Sequence, residues 1–205
     1  MNTNKFLESK ILHFKDLFPI DVLRLIHDFA RETRVPYKLK RELRGKIVEL
    51  YGFDKLYKLG YRDFSHMDYN KKYVRDTCLW KCNFEESSLR GTTFSSTELT
   101  GCNFKKTELS GIYFRNCTLM HSIFSSSNMY GCMMNDCHAF YAIFTCCNMN
   151  KSRIKDSNFE NAIITSCRLK GTSFIDCHMD IMDFFGCNTS NTCLLYTSDA
   201  ADDWS

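Results

Sequence analysis

The sequence predicts a stacked-repeat solenoid preceded by an α-helical module. Two patterns carry that prediction. Large apolar residues recur at every fifth position, as Leu99, Phe104 and Leu109 do within TELTGCNFKKTELSG, while the first sixty residues keep helical spacing instead. A helix places apolar residues three and four apart and a half-buried strand two apart, so a period of five belongs to neither. A unit this short cannot bury its own central side chain and must stack on copies of itself.

The period is clear from about Thr77 to Asn191, with fainter traces at Phe64, Tyr69 and Val74. Two places before each centre stands Cys, Ser, Thr or Ala almost throughout, Ile112 and Met182 being exceptions. This pattern resembles the pentapeptide-repeat family, whose unit is a small residue, a polar one, Leu or Phe, and two variable positions. The resemblance implies a mainly β fold, a right-handed quadrilateral β-helix with four units per coil and about five coils here. Residues twenty apart then stack at about 4.8 Å, the spacing of paired strands. One face stacks Phe84, Phe104, Phe124, Phe144, Ile164 and Phe184, and the opposite face Phe94, Phe114, Met134, Ile154 and Phe174. Ala139 and Phe159 form a small–large exchange in one of the faces between. Glycines such as Gly91, Gly101 and Gly111 fall at the last position of a unit, where the chain turns a corner.

The chain has 205 residues, and nine of its twelve cysteines (Cys82, Cys102, Cys117, Cys132, Cys137, Cys147, Cys167, Cys177 and Cys187) take the small inward position. There a thiol acts as a compact hydrophobe. Stacked neighbours would hold their Cβ atoms about 4.8 Å apart, beyond the roughly 3.8 Å a disulfide favours. The N-terminus MNTNKFLESK lacks the apolar core of a secretory signal, and reduced thiols suit a cytoplasmic protein. Cys137-His138 and Cys177-His178 look like a repeated ligand pair but fall two coils apart, so no metal is expected. His13, His27, His66 and His121 have no matching nucleophile or carboxylate pair, and no phosphate-binding glycine loop is present. The expectation is no enzyme and no cofactor. No apolar run reaches the length of a membrane span.

Residues 1–60 carry 13 Lys and Arg against 8 Asp and Glu, a net of +5, whereas the whole chain is +3. Helices are expected over 6–18 and from Pro19 to about Thr33, the second burying Val22, Leu23, Ile26 and Phe29. A third follows Pro36 with Leu39, Leu43, Ile47 and Leu50 on its apolar side and Lys38, Lys40, Arg41, Arg44 and Lys46 near solvent; Gly52 ends it, and a short helix follows around Asp54 to Leu59. The stretch FPIDVLRLI resembles the start of an F-box. That resemblance implies an adaptor contact for a cullin ubiquitin ligase through Phe18, Pro19, Val22, Leu23 and Ile26. Phe18 departs from the usual Leu, and the basic second half departs from a leucine-rich one. The alternative is a helical cap over the first unpaired strands.

The domain reading is therefore a helical module over 1–60, a transition over 61–76, the β-helix over 77–192 and a tail over 193–205. That tail, CLLYTSDAADDWS, breaks the rhythm and resembles a translated sequencing adapter, which implies a non-native end and a natural chain continuing past Thr192.

Function is expected in protein binding. Some pentapeptide-repeat proteins mimic DNA in shape and negative charge and bind type II topoisomerases. Such mimicry needs an acidic face. Here Glu85 and Glu86 alternate with Lys105, Lys106, Arg115, Lys151 and Lys155, so this is the least favoured reading, and no nucleic-acid partner is expected. The outward columns hold one anomaly: Ile123, Ile143 and Ile163 stack where the family is usually polar, with Met120, Phe140, His121 and Tyr141 around the adjoining corner. Such a strip marks a contact surface for a protein partner, or the seat of the N-terminal helices. Pairing of two copies through a terminal coil stays open.

Overall fold

The computed structural model describes residues 37–179 and 184–195. The F-box-like residues Phe18, Pro19, Val22, Leu23 and Ile26, the helices expected over 6–33 and the tail beyond Leu195 lie outside them. Two helices, α1 (Tyr37–Tyr51) and α2 (Phe53–Lys58), lead into a β-solenoid of about six turns. Pairing begins with Asp63 on Asn83, so the faint traces at Phe64, Tyr69 and Val74 are the first coil. Every paired residue lies twenty from its partner and every pair is parallel.

Among the described residues nine strands, three residues each, occupy two of the four sides. Seven form one sheet: β1 (Tyr73–Arg75), β2 (Thr93–Ser95), β3 (Tyr113–Arg115), β4 (Met133–Asn135), β6 (Arg153–Lys155), β8 (Ser173–Ile175) and β9 (Cys193–Leu195). The other two, β5 (Ile143–Thr145) and β7 (Ile163–Thr165), pair on the opposite side. Isolated bridges continue the same register around the remaining sides.

Stacking at this spacing decides the core. Phe84, Phe104, Phe124 and Phe144 lie ring on ring, with centroids 4.9, 4.9 and 4.7 Å apart and planes within 8°. Phe94 and Phe114 stack at 5.6 Å on the facing side and meet the first column edge-on. Edge-to-face and offset contacts are the arrangements aromatic rings prefer. Where Ala139 leaves room, Phe159 of the next coil leans to within 5.7 Å of Phe144.

The small inward residues do more than save space. Ser87, Thr107, Ser122 and Ser152 each donate a hydroxyl hydrogen bond of 2.8 Å to the carbonyl of a central residue twenty-three positions back. Cys102 and Cys147 donate their thiols in the same way, at 2.9 Å to Leu79 and Phe124. The cysteines are thus donors as well as compact apolar groups, and among the described residues all are free thiols. Among those residues no buried side-chain nitrogen or oxygen lacks a partner.

The corner position is left-handed whatever residue holds it. Gly91, Gly101 and Gly111 have φ of 60–68°, but so do His121, Tyr141 and Lys151, at 56–58°. The backbone of the coil dictates that conformation, and glycine only relieves its cost of roughly 1–2 kcal/mol.

The helices close the first coil. Phe53 enters the open end of the solenoid, its ring 4.9 Å from Phe64, 5.0 Å from Tyr69 and 5.8 Å from Phe84. Leu43, Ile47, Val48 and Leu56 are buried with it. Leu50, expected on the apolar side, is 39% exposed. Arg41 and Arg44, expected near solvent, turn to the first coil instead. Arg41 bonds Asp68 at 2.9 Å and Arg44 donates to the Ser65 carbonyl at 2.6 Å, because the first coil has acceptors that no earlier coil covers. Gly52, with φ 75°, separates the helices.

Two predictions follow from packing. A Cβ on Gly45 would lie 1.8 Å from the Asp68 carbonyl oxygen. Glycine to alanine inside a helix ordinarily stabilises by about 1 kcal/mol. Gly45→Ala should instead lower the thermal midpoint, and a raised midpoint would refute the docking of α1. Burial also pushes the thiol of Cys82 up to about 12 and that of Cys132 up to about 11. An unfolded thiol titrates near 8.5, so above that pH the unfolded chain releases its protons first. This stability is whole below about pH 8.5 and is lost as pH rises toward 11–12. Urea midpoints should fall between about pH 8 and 10, and the fall should shrink in Cys82→Ser/Cys132→Ser; an unchanged midpoint would contradict it.

Candidate protein-binding surface

The residue before each centre points outward from its coil, so residues twenty apart form a surface column. On the side that carries the main phenylalanine stack this column begins as a polar ladder. Asn83 donates its amide to Asp63 at 3.2 Å, and Asn103 donates to Asn83 at 3.0 Å. Each asparagine oxygen also takes a backbone N–H two residues on, from Glu85 and Lys105. The next rung is Ile123, paired in register with Asn103, and Ile143 and Ile163 follow it. The column changes from amide to hydrocarbon between two adjacent coils.

The structure brings all six candidate residues together. Met120, Ile123, Phe140 and Ile143 are half-buried, while Tyr141 is 50% and Ile163 46% exposed. The backbone N–H of His121 bonds the carbonyl of Phe140 at 2.9 Å, which sets Tyr141 above His121 and Phe140 above Met120. The His121 and Tyr141 rings stack at 5.2 Å with planes 9° apart. His138, which the sequence reading treated only as a discarded metal ligand, stacks on Phe140 at 6.2 Å. Hydroxyls flank the isoleucines on the other side, with Thr165 donating to Thr145 at 3.4 Å. Those threonines extend the uncharged surface, and their twenty-residue spacing was readable beside the isoleucines.

His138 and His178 are separated by Asn158 in the same column, each following a buried cysteine that faces inward. Among the described residues no three His, Cys, Asp or Glu are placed to share a metal ion. No described helix is long and apolar enough to cross a membrane.

The amide ladder supplies a direct test of the column. Ile123→Asn would place an amide where Asn103 can accept from it, as Asn83 accepts from Asn103. Thermal unfolding should then stay within about 1 kcal/mol of the parent, although an apolar group is lost. A larger destabilisation would mean that Ile123 is packed beneath another element.

Comparison with known proteins adds the following. A family model described as pentapeptide repeats matches in eight copies, over residues 73–105, 97–136 and 142–180. No curated protein matches the chain. Among solved structures, trypsin-treated QnrB1, a plasmid-mediated fluoroquinolone resistance protein, is similar at 22% identity and a TM-score of 0.44, over 60% of this chain and 67% of that one. A pentapeptide-repeat protein from the cyanobacterium Cyanothece 51142 is similar at 15% identity and a TM-score of 0.31, over 68% and 96%. Another, involved in heterocyst differentiation regulation in Nostoc sp. strain PCC 7120, is similar at 12% identity and a TM-score of 0.28, over 67% and 91%.

Proposed function

The chain belongs to the pentapeptide-repeat family, and on that premise we propose that it is a non-enzymatic protein-binding scaffold. Its partner face is the strip of Met120, Ile123, Phe140, Tyr141, Ile143 and Ile163. The observation that carries this reading is the switch from amide to isoleucine within one surface column. The fold does not require that switch, since Asn83 and Asn103 hold the same backbone pairing with polar side chains. Contiguous apolar surface on a soluble coil is a cost unless another surface covers it.

Other features agree. The strip wraps one corner of stacked coils and carries aromatic groups with few rotamers to order on binding. Two of those aromatics are already held by stacked histidines, so little conformational freedom remains to lose. DNA mimicry has no support here: Lys106 sits on Glu86 at 3.2 Å and Arg90 on Glu108 at 3.1 Å, so both signs mingle along the coils.

The test is retention of partners from a matched extract by the immobilised full chain. Ile123→Asn/Ile143→Asn/Tyr141→Ser should lose at least one protein that both the parent and an Arg75→Glu control retain. Circular dichroism of all three should coincide. An identical retained set for a folded strip variant would refute the reading.

A further inference from the structure

A second surface lies diagonally across the solenoid from the isoleucine strip. It is built from three stacked stretches, residues 128–135, 148–155 and 168–175. They contain Lys151, Arg153, Lys155, Arg168 and Lys170 and no Asp or Glu. The register gathers them. The Lys151 N–H bonds the Lys170 carbonyl at 3.0 Å, Asn148 is bridged to Arg168, and Arg153 pairs between Met133 and Ser173. Lys151, Arg153, Arg168 and Lys170 are exposed, and among the described residues none of these four has a carboxylate partner, whereas Lys155 pairs with Asp156 at 2.9 Å.

The ground between these cations is uncharged. Asn148 donates to Asn128 at 2.9 Å, and the Asn150 oxygen takes the Lys170 backbone N–H at 2.8 Å. Tyr130 and Met133 are exposed at its head, with the Lys151 ammonium 5.6 Å from the Tyr130 ring centre. Like charges held on neighbouring rungs repel, and nothing in the coil itself requires them there. Asn128 and Asn150 show that amides serve the same positions.

From this placement we propose that the surface binds a short acidic polypeptide segment of a partner, independently of the isoleucine strip. Its boundaries argue for a short segment over a nucleic acid. Glu108, held by Arg90 and by the Asn128 amide, closes its upper end. The corner residues Asp136, Asp156 and Asp176 close its far side. Three rungs at about 4.8 Å leave a patch roughly 10 Å along the axis. A phosphate backbone crossing the patch would continue into those carboxylates, whereas a few Asp or Glu residues flanked by an apolar side chain for Tyr130 and Met133 would not. A scaffold with an apolar face on one corner and a cationic face on the opposite one can hold two partners, or two parts of one, at once.

Fluorescence anisotropy of the full chain with a labelled oligoglutamate, and separately with a labelled oligodeoxythymidylate, tests this. At about 50 mM salt the oligoglutamate should bind, and Lys151→Glu/Lys170→Glu should weaken it at least about tenfold, with binding fading near 0.5 M salt. Lys38→Glu/Lys58→Glu, at the helical end, should leave it within about twofold. Ile143→Asn should also leave it unchanged, which separates this surface from the strip. Three outcomes would overturn the proposal: no binding by the folded parent, equal loss in both charge-reversed variants, or tighter binding of the oligonucleotide than of the oligoglutamate.

Discussion

Every feature of this protein depends on the contact between a residue and the one twenty positions later. A five-residue unit has one large side chain and too little backbone to enclose it. Only the coil above and the coil below can take it out of water. That single requirement sets the spacing of the rings, the narrow interior and the small residue two places before each centre. It also sets the left-handed corner, which the backbone adopts at Tyr141 and Lys151 as it does at the glycines. Each coil is stabilised by its neighbours, so the two ends are the weak points. Phe53 and the α1–α2 pair answer that at the first coil, where ring contacts and the Arg41 and Arg44 bonds replace the missing neighbour.

The same contact writes a pattern onto the outside. Because register never slips, a surface residue repeated every twenty positions becomes a straight column, and a change of residue type becomes a boundary. The isoleucine strip starts where Asn103 gives way to Ile123. The cationic surface starts below Glu108, where stacked asparagines are joined by Lys151, Arg168 and their neighbours. A solenoid with a near-neutral outer surface can therefore keep two chemically distinct faces, separated by its own width.

Much of this was legible in the sequence, because the period is arithmetic and the stacking follows from it. The phenylalanine columns, the inward cysteines, the Ala139–Phe159 exchange and the strip with Met120 and Phe140 could all be placed by counting. What could not be counted was direction and partnership. Helical spacing placed Arg41 and Arg44 on the polar side of α1 but could not show that this side meets uncovered acceptors of the first coil. Composition marked cysteine as small and apolar without revealing that its thiol donates to a carbonyl of the previous coil. Spacing ruled His138 out as a metal ligand but could not show that its ring lies on Phe140. In each case the missing information was which backbone group lay opposite, and that depends on three-dimensional register.

The claim most in need of measurement is that the strip is a partner face on the working protein. Site-specific incorporation of a benzophenone amino acid in place of Tyr141, and separately in place of the exposed Tyr73 on the sheet side, would test it by photocrosslinking in the native extract. The account predicts a discrete adduct to another protein from position 141 that position 73 does not give. Adducts of the same pattern from both positions, or crosslinks from 141 only within the chain itself, would contradict it.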